Sequence, residues 1–353
     1  MKKAALVILS LMSGVVYSQS LKAPVGVRPC CAFGMDLKAQ LGSVPVPFFS
    51  IENVLDANGL GAHHYNDGSE SVSGSLFGFN DEANGIVFTS KGGFIDTAHV
   101  RDTADYTYYL FQLNRQNLGT NTAIELPAEL RIRRVQWLEN DQQLTEAERI
   151  QRSAKSAAFT AYRMAQWHEI AQWFGMVSVS GFKEYASAFS SEDLYSNMLG
   201  ALLAEAILLE QPDICQEGFS KAMDVSFQQA LDQLEVQPQA VARAKMTQLD
   251  GKWWDSSRRL PDKWVVLFRD YHLALKLTPH FPDSTAMLSI DDHFLNQQSI
   301  EAWVRLELHA GDQERSFANL PEPLRSLPVW RAQEFQRLAD FAQAWDKRTH
   351  PHN

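Results

Sequence analysis

Residues 145–175 read TEAERIQRSAKSAAFTAYRMAQWHEIAQWFG. Thr145 and Glu148 stand at capping-box spacing, and Gly175 supplies a stop. Between them Ile150, Ala154, Ala157, Ala161, Ala165 and His168 recur every three or four residues. They therefore share one stripe of a long helix. The stripe is made mostly of small side chains, so a second helix can approach closely. This reading places a helical layer at the centre of the fold.

The flanking segments extend that layer. Asp96 can cap a helix running to about Asn114. Ser190 and Asp193 form a second capping box, for a helix reaching about Glu210. Its stretch from Leu199 to Leu209 is apolar nearly all round apart from Glu205, as expected of a buried helix. Further helices are expected over 215–235 and 238–249, and an amphipathic one from Leu324 to Trp345, announced by Leu320-Pro321-Glu322-Pro323. Strands are expected at Val44–Phe49, at Gly85–Thr89, and later at Trp264–Phe268, Leu273–Leu277 and Ala302–Leu308. The fold class is α+β, a predominantly helical centre with short strands near 44–95 and 263–310. The expected organisation is a main helical domain over 19–255 and a strand-containing segment over 256–353, either separate or part of the same domain.

The chain of 353 residues is 45% hydrophobic and 21% charged, which excludes disordered and fibrous classes. Net charge is −10, without a Lys/Arg cluster to follow a phosphate backbone, so a nucleic-acid partner is not expected. The first twenty residues stand apart. Lys2 and Lys3 precede an uncharged apolar run from Ala4 to Tyr17, too short to span a bilayer comfortably, and the chain turns polar at Ser18. This is the pattern of a secretory signal over 1–18, with Val16 and Ser18 suited to the −3 and −1 positions and Ser20 as the alternative cleavage point. Losing both lysines leaves 30 basic against 42 acidic residues, a net charge of −12. The mature chain is expected to be exported to the periplasm, with no transmembrane anchor.

Export permits disulfides, but Cys30, Cys31 and Cys215 make an odd count. One long-range bridge to Cys215 leaves one free thiol. The other reading makes Cys31 a nucleophile, its thiolate favoured if the Cys-Cys-Ala segment opens a helix.

Three segments set polar residues among apolar ones. In Gly92-Gly93-Phe94-Ile95-Asp96-Thr97-Ala98-His99-Val100-Arg101-Asp102, the residues Asp96, His99 and Asp102 share one side of the first helical turns. Two carboxylates beside an imidazole can bind a divalent metal or orient the ring as a base. In Trp167-His168-Glu169-Ile170, His168 belongs to the small-residue stripe and should face inward, with Glu169 about 100° around the helix. This is not the two-histidine zinc-protease motif, because Gln172 occupies the fourth position after His168. In Ser190-Ser191-Glu192-Asp193-Leu194-Tyr195-Ser196-Asn197, acids in a first turn suit the helix dipole, and Asn197 follows Asp193 by one turn.

Together with Arg28-Pro29-Cys30-Cys31-Ala32-Phe33-Gly34 and Asn84-Gly85-Ile86-Val87-Phe88-Thr89, these blocks resemble a family of exported bacterial proteins known only as a domain of unknown function. The resemblance is close over about residues 25–210. It implies an envelope location and supplies no reaction. Relatives often carry a cysteine where this chain has Ser90. If that cysteine bridges Cys30 or Cys31 in them, this chain lacks the bond, and Cys215 would substitute.

The leading expectation is a periplasmic hydrolase acting on an envelope component or small molecule, with His99, His168, Glu169 and Asp193 as catalytic groups. Arg101, Asp102, Glu192, Tyr195 and Asn197 would contact substrate. A divalent metal such as zinc would take His99, His168 and Glu169. The alternatives are a thiol hydrolase or acyltransferase using Cys31 and His99, and a non-catalytic envelope binding or scaffold protein whose polar residues only join helices.

Overall fold

The computed structural model describes residues 21–350 except 27, 29–31, 42–43, 69–81 and 178–182. The expected leader, Cys30 and Cys31 therefore lie outside the described residues. The fold is α+β, with seven α-helices among the described residues and small antiparallel sheets. Strands β1 (Leu37–Leu41) and β2 (Val44–Ile51) form one hairpin, and β3 (Ile86–Thr89) and β4 (Gly93–Asp96) another. The second hairpin runs directly into α1 (Thr97–Asn117), capped by Asp96 as expected. Strands β5 (Ala123–Glu129) and β6 (Arg131–Trp137) follow, then the long helix α2 (Glu146–Trp173).

The capping box at the start of α2 is present. The Thr145 hydroxyl accepts from the Glu148 N–H, and the Glu148 carboxylate accepts from the Thr145 N–H. The stop is Gly175, at φ +92, where a side chain would also strike the Tyr185 ring. Helix α3 (Asp193–Glu210) packs with α1 and α2, and the three make the helical centre. Ala154, Ala157 and Ala161 are buried along the stripe, whereas Ala165 and His168 are half-buried. In the last turns of α2 the fully buried positions include Tyr162, Trp167, Glu169 and Ile170. Helices α4 (Gln216–Gln233) and α5 (Gln239–Gln248) complete this half.

The C-terminal part departs further from expectation. Lys263–Val265 is a single 3-10 turn capped by Asp262, and only Lys276–Leu277 (β7) pairs as a strand, with Leu288–Ser289 (β8). The expected helix from Leu324 is divided into α6 (Glu322–Arg325), β10 (Val329–Trp330) and α7 (Ala332–Thr349). The division falls at Pro328, which lacks the N–H that a continuing helix would need. The strand after it pairs with β9 (Val304–His309). β9 in turn pairs with β6, giving one antiparallel sheet in the order β10-β9-β6-β5.

β5 and β6 carried no strand pattern because two of the inward positions on β6 are arginines. Arg131 lies over the Trp330 ring at 3.4 Å and binds Glu314, while Arg133 binds Glu129 and the Tyr106 hydroxyl. Their flat guanidinium planes take places where alternation would demand apolar side chains.

Candidate functional site

The junction of β4 and α1 sets the first two groups. Asp96 leaves the strand in an extended conformation, and its Oδ1 accepts from the N–H groups of Ala98 and His99 at 2.8 and 3.1 Å. Its own N–H donates to the Ser196 hydroxyl at 2.9 Å, and that hydroxyl donates to the Glu192 carbonyl. This ties the start of α1 to the start of α3. The His99 ring lies between the two helices, with Nδ1 3.3 Å from Asp96 Oδ1. On its other side, Nε2 is 3.6 Å from Glu169 Oε1 on α2 and 3.7 Å from Asp193 Oδ2 on α3.

Glu169 is 0% exposed, and its Oε2 accepts from the Phe189 N–H at 2.7 Å. Phe189 has φ +57, a left-handed conformation that is costly for a bulky residue and persists only where its surroundings impose it. Arg269 imposes it: its guanidinium binds the carbonyls of Ala186, Ala188 and Lys263, and Ser190 bridges to the Arg269 backbone. The strained turn aims one carboxylate oxygen of Glu169 at the backbone and leaves the other facing His99.

The capping box expected at Ser190 is not formed. Glu192 occupies the N-cap position of α3 without a side-chain cap bond, and the hydroxyls of Ser190 and Ser191 donate instead to its carboxylate. Burial, with the nearby Asp96 charge, pushes the Glu192 carboxyl up to about 7. Burial also pushes Asp193 well above the usual carboxylate range, aided by the charges of Glu169 and Glu192 and opposed by His99. Three buried carboxylate oxygens at this place have no hydrogen-bond donor among the described residues: Asp96 Oδ2, Glu169 Oε1 and Asp193 Oδ2. Asp96, His99 and Asp193 each present a potential ligand atom, all within 4.8 Å of one another.

His99, Glu169, Glu192 and Asp193 thus meet, but His168 does not join them. It projects from α2 in another direction, with Nδ1 3.3 Å from Glu129 Oε1 and Nε2 3.1 Å from Gln172. One residue along a helix is a rotation of about 100°, and α2 turns Glu169, not His168, toward α1 and α3. The expected ligand set of His99, His168 and Glu169 is therefore not assembled. Burial disfavours the His168 cation, yet the Glu129 carboxylate outweighs it and holds this imidazole above its ordinary value. A raised folded value means stability that is present below pH about 6.5 and lost as pH rises through the raised value. His168→Gln is expected to cost about 1–2 kcal/mol at pH 6 and less at pH 8.5, as read by urea denaturation at both pH values. A cost that grows with pH would contradict the assignment.

The expected substrate contacts are engaged by the protein itself. Arg101 holds the carbonyls of Leu60, Gly61 and Ala83 and the Asn84 side chain, while Asp102 binds Arg28. The Tyr195 hydroxyl donates to the Ala286 carbonyl, and Asn197 Oδ1 accepts from the Thr103 hydroxyl at 2.6 Å. Cys215 is an exposed free thiol, so the expected long-range bridge is not formed. Arg269, which shapes the site from a distant segment, carried no sequence signal, because neither motif nor periodicity marks its surroundings.

The family described as "Protein of unknown function (DUF4056)" matches residues 18–282. The chain belongs to that family. The match includes Asp96, His99, Glu169, Glu192, Asp193 and Arg269, and it agrees with the resemblance carried by the sequence blocks. No curated protein and no solved structure matches the chain. Among the described residues, no helix is long and apolar enough to cross a membrane.

Proposed function

We propose that this protein is an exported hydrolase of the bacterial envelope, with His99 and Glu169 at its reaction centre. The observation that carries the reading is the buried, undonated Oε1 of Glu169, 3.6 Å from His99 Nε2. An imidazole set among carboxylates at both ring nitrogens can act as a general base, since the neighbouring charges stabilise the cation it becomes. Asp96 Oδ1, 3.3 Å from Nδ1, places a negative charge beside the ring. Glu192, its carboxyl pushed up to about 7, is suited to return a proton to a leaving group near neutral pH. The leader pattern and the family resemblance support the envelope location.

The test is to incubate the purified mature chain with envelope fractions (peptidoglycan, lipid and protein) and follow products by mass spectrometry, with His99→Ala and Glu169→Gln in parallel. Wild type is expected to release a product that both folded variants fail to release, a loss of at least about 100-fold for either group. Product release at the wild-type rate by folded His99→Ala would overturn the reading, as would the absence of any product from the wild-type protein.

A further inference from the structure

We infer that Asp96, His99 and Asp193 hold a single divalent cation. The inference is separate from the hydrolase reading, because an ion here would serve a binding protein equally well, and it limits that reading, because an imidazole nitrogen that ligates the ion cannot also take a proton.

Three independent features point to it. The first is geometric: the three side chains are 0%, 7% and 2% exposed, and their ligand atoms lie within 4.8 Å of one another. Bonds of about 2.0–2.2 Å place ligands on opposite sides of an ion roughly 4 Å apart, so small side-chain adjustments close the sphere. The second is the unmet demand for a donor. Asp96 Oδ2 and Asp193 Oδ2 are buried without one among the described residues, and so is the adjacent Glu169 Oε1. A buried carboxylate oxygen left unsatisfied costs free energy that a bound cation recovers. The two halves of Asp96 divide the work, since Oδ1 caps α1 and Oδ2 remains for the ion.

The third feature is charge. Four buried carboxyl groups, Asp96, Glu169, Glu192 and Asp193, surround one imidazole. Arg269 lies within electrostatic reach of Glu169 and Asp193, yet its hydrogen bonds go to backbone carbonyls. No ion pair between a Lys or Arg side chain and any of these four carboxylates is present among the described residues. A doubly charged ion offsets this excess where a buried monovalent side chain does not reach.

The donor set also selects the ion. Two carboxylates and one imidazole, without thiolate, suit the overlap between oxygen-preferring and imidazole-accepting metals, Mn2+ and Fe2+. It differs from the two-histidine zinc arrangement in which His168 would take part.

The test uses the mature chain stripped with chelator and titrated with Mn2+ alone, followed by calorimetry and by the electron paramagnetic resonance of the bound ion. One Mn2+ per chain is expected, with a rise in melting temperature on saturation. Asp193→Asn and Asp96→Asn should each weaken binding by about 100-fold or more, at the upper end of supporting-shell losses. Asparagine caps a helix about as well as aspartate, so Asp96→Asn keeps the fold while removing the ligand charge. His168→Gln should bind as wild type does. Failure of the folded wild-type chain to take up Mn2+ at millimolar concentration would overturn the assignment. So would wild-type affinity in both folded asparagine variants, or a loss in His168→Gln as large as theirs. Stoichiometric Mn2+ without hydrolysis of any envelope fraction would uphold the cation site while removing the hydrolase reading.

Discussion

Arg28→Met is expected to destabilise the protein by about 3–5 kcal/mol at pH 7. Arg28 is buried and joins three carboxylates, Glu82, Asp102 and Asp105, at 2.5, 2.7 and 2.9 Å. Its Nη2 also donates to the His64 carbonyl, and its backbone N–H to Asp102. Methionine fills much of the volume but leaves three buried acids without their cation. Removal of one member of a buried ionic group costs more than the group itself contributes, because the survivors remain desolvated, here with only Arg101 and His63 left beside Glu82 and only His63 beside Asp105. The effect should depend on pH with a definite sign. Burial opposes ionisation of Glu82, but Arg28 outweighs it and holds that carboxyl far below its ordinary range. Stability from a depressed carboxylate is present above its unfolded value of about 4.3 and disappears as pH falls through the folded one. The difference between Arg28→Met and wild type should therefore be widest at neutral pH and narrow below pH about 4. Urea denaturation at pH 7 and pH 2.5 measures both, and an equal cost at the two values would show that charge pairing is not what Arg28 supplies.

Gly200→Ala is the second substitution with a large expected effect, about 3 kcal/mol, or a fall of about 4 °C in melting temperature for a chain of this length. A Cβ on Gly200 would lie 2.0 Å from the Val100 carbonyl oxygen and 2.7 Å from its carbon. Both partners are backbone of packed helices, so no side chain can swing aside. The helices themselves must separate. Val100 follows His99 on α1, and Gly200 lies two turns after Asp193 on α3, so the separation also moves a ring and a carboxylate apart. Loss of stability should be accompanied by weaker Mn2+ binding, whereas Gly59→Ala, where a Cβ meets nothing within 4 Å, should change neither. A Gly200→Ala variant with wild-type melting temperature would mean that the α1–α3 contact is looser than described.

Much of the helical centre was legible because its signals are local. The Thr145–Glu148 box, the Asp96 cap and the three-and-four spacing from Ala154 to Ala161 are interactions within a turn or two, and each formed where expected. Local signals misled where another partner competed for the same group. The Ser190 hydroxyl was read as a cap, but in the folded chain it donates its hydrogen bond to the Glu192 carboxylate. The strand expected at Trp264–Phe268 has suitable residues, but among the described residues it meets only the short segment Trp253–Asp255, where Trp254 bridges to Val266 and the Trp253 carbonyl accepts from Leu267 and Phe268, so no strand forms. The strands that do form the larger sheet hid behind arginines, whose burial is tolerable only because Trp330, Glu129, Glu314 and Tyr106 receive them.

The candidate site shows the same division. The sequence by itself determined that polar groups stand on apolar helices at His99, Glu169 and Asp193, since composition and periodicity along one chain suffice for that. Only the tertiary structure decided which of two adjacent residues, His168 or Glu169, would face the centre. That choice is a rotation of about 100° about the α2 axis, settled by α1 and α3 on one side and by Glu129 on the other. The left-handed Phe189 turn and the Arg269 clamp that holds it are likewise tertiary, because their energy lies in contacts between segments some eighty residues apart. Local chemistry named the ingredients; packing and the requirement to satisfy buried charge chose their arrangement.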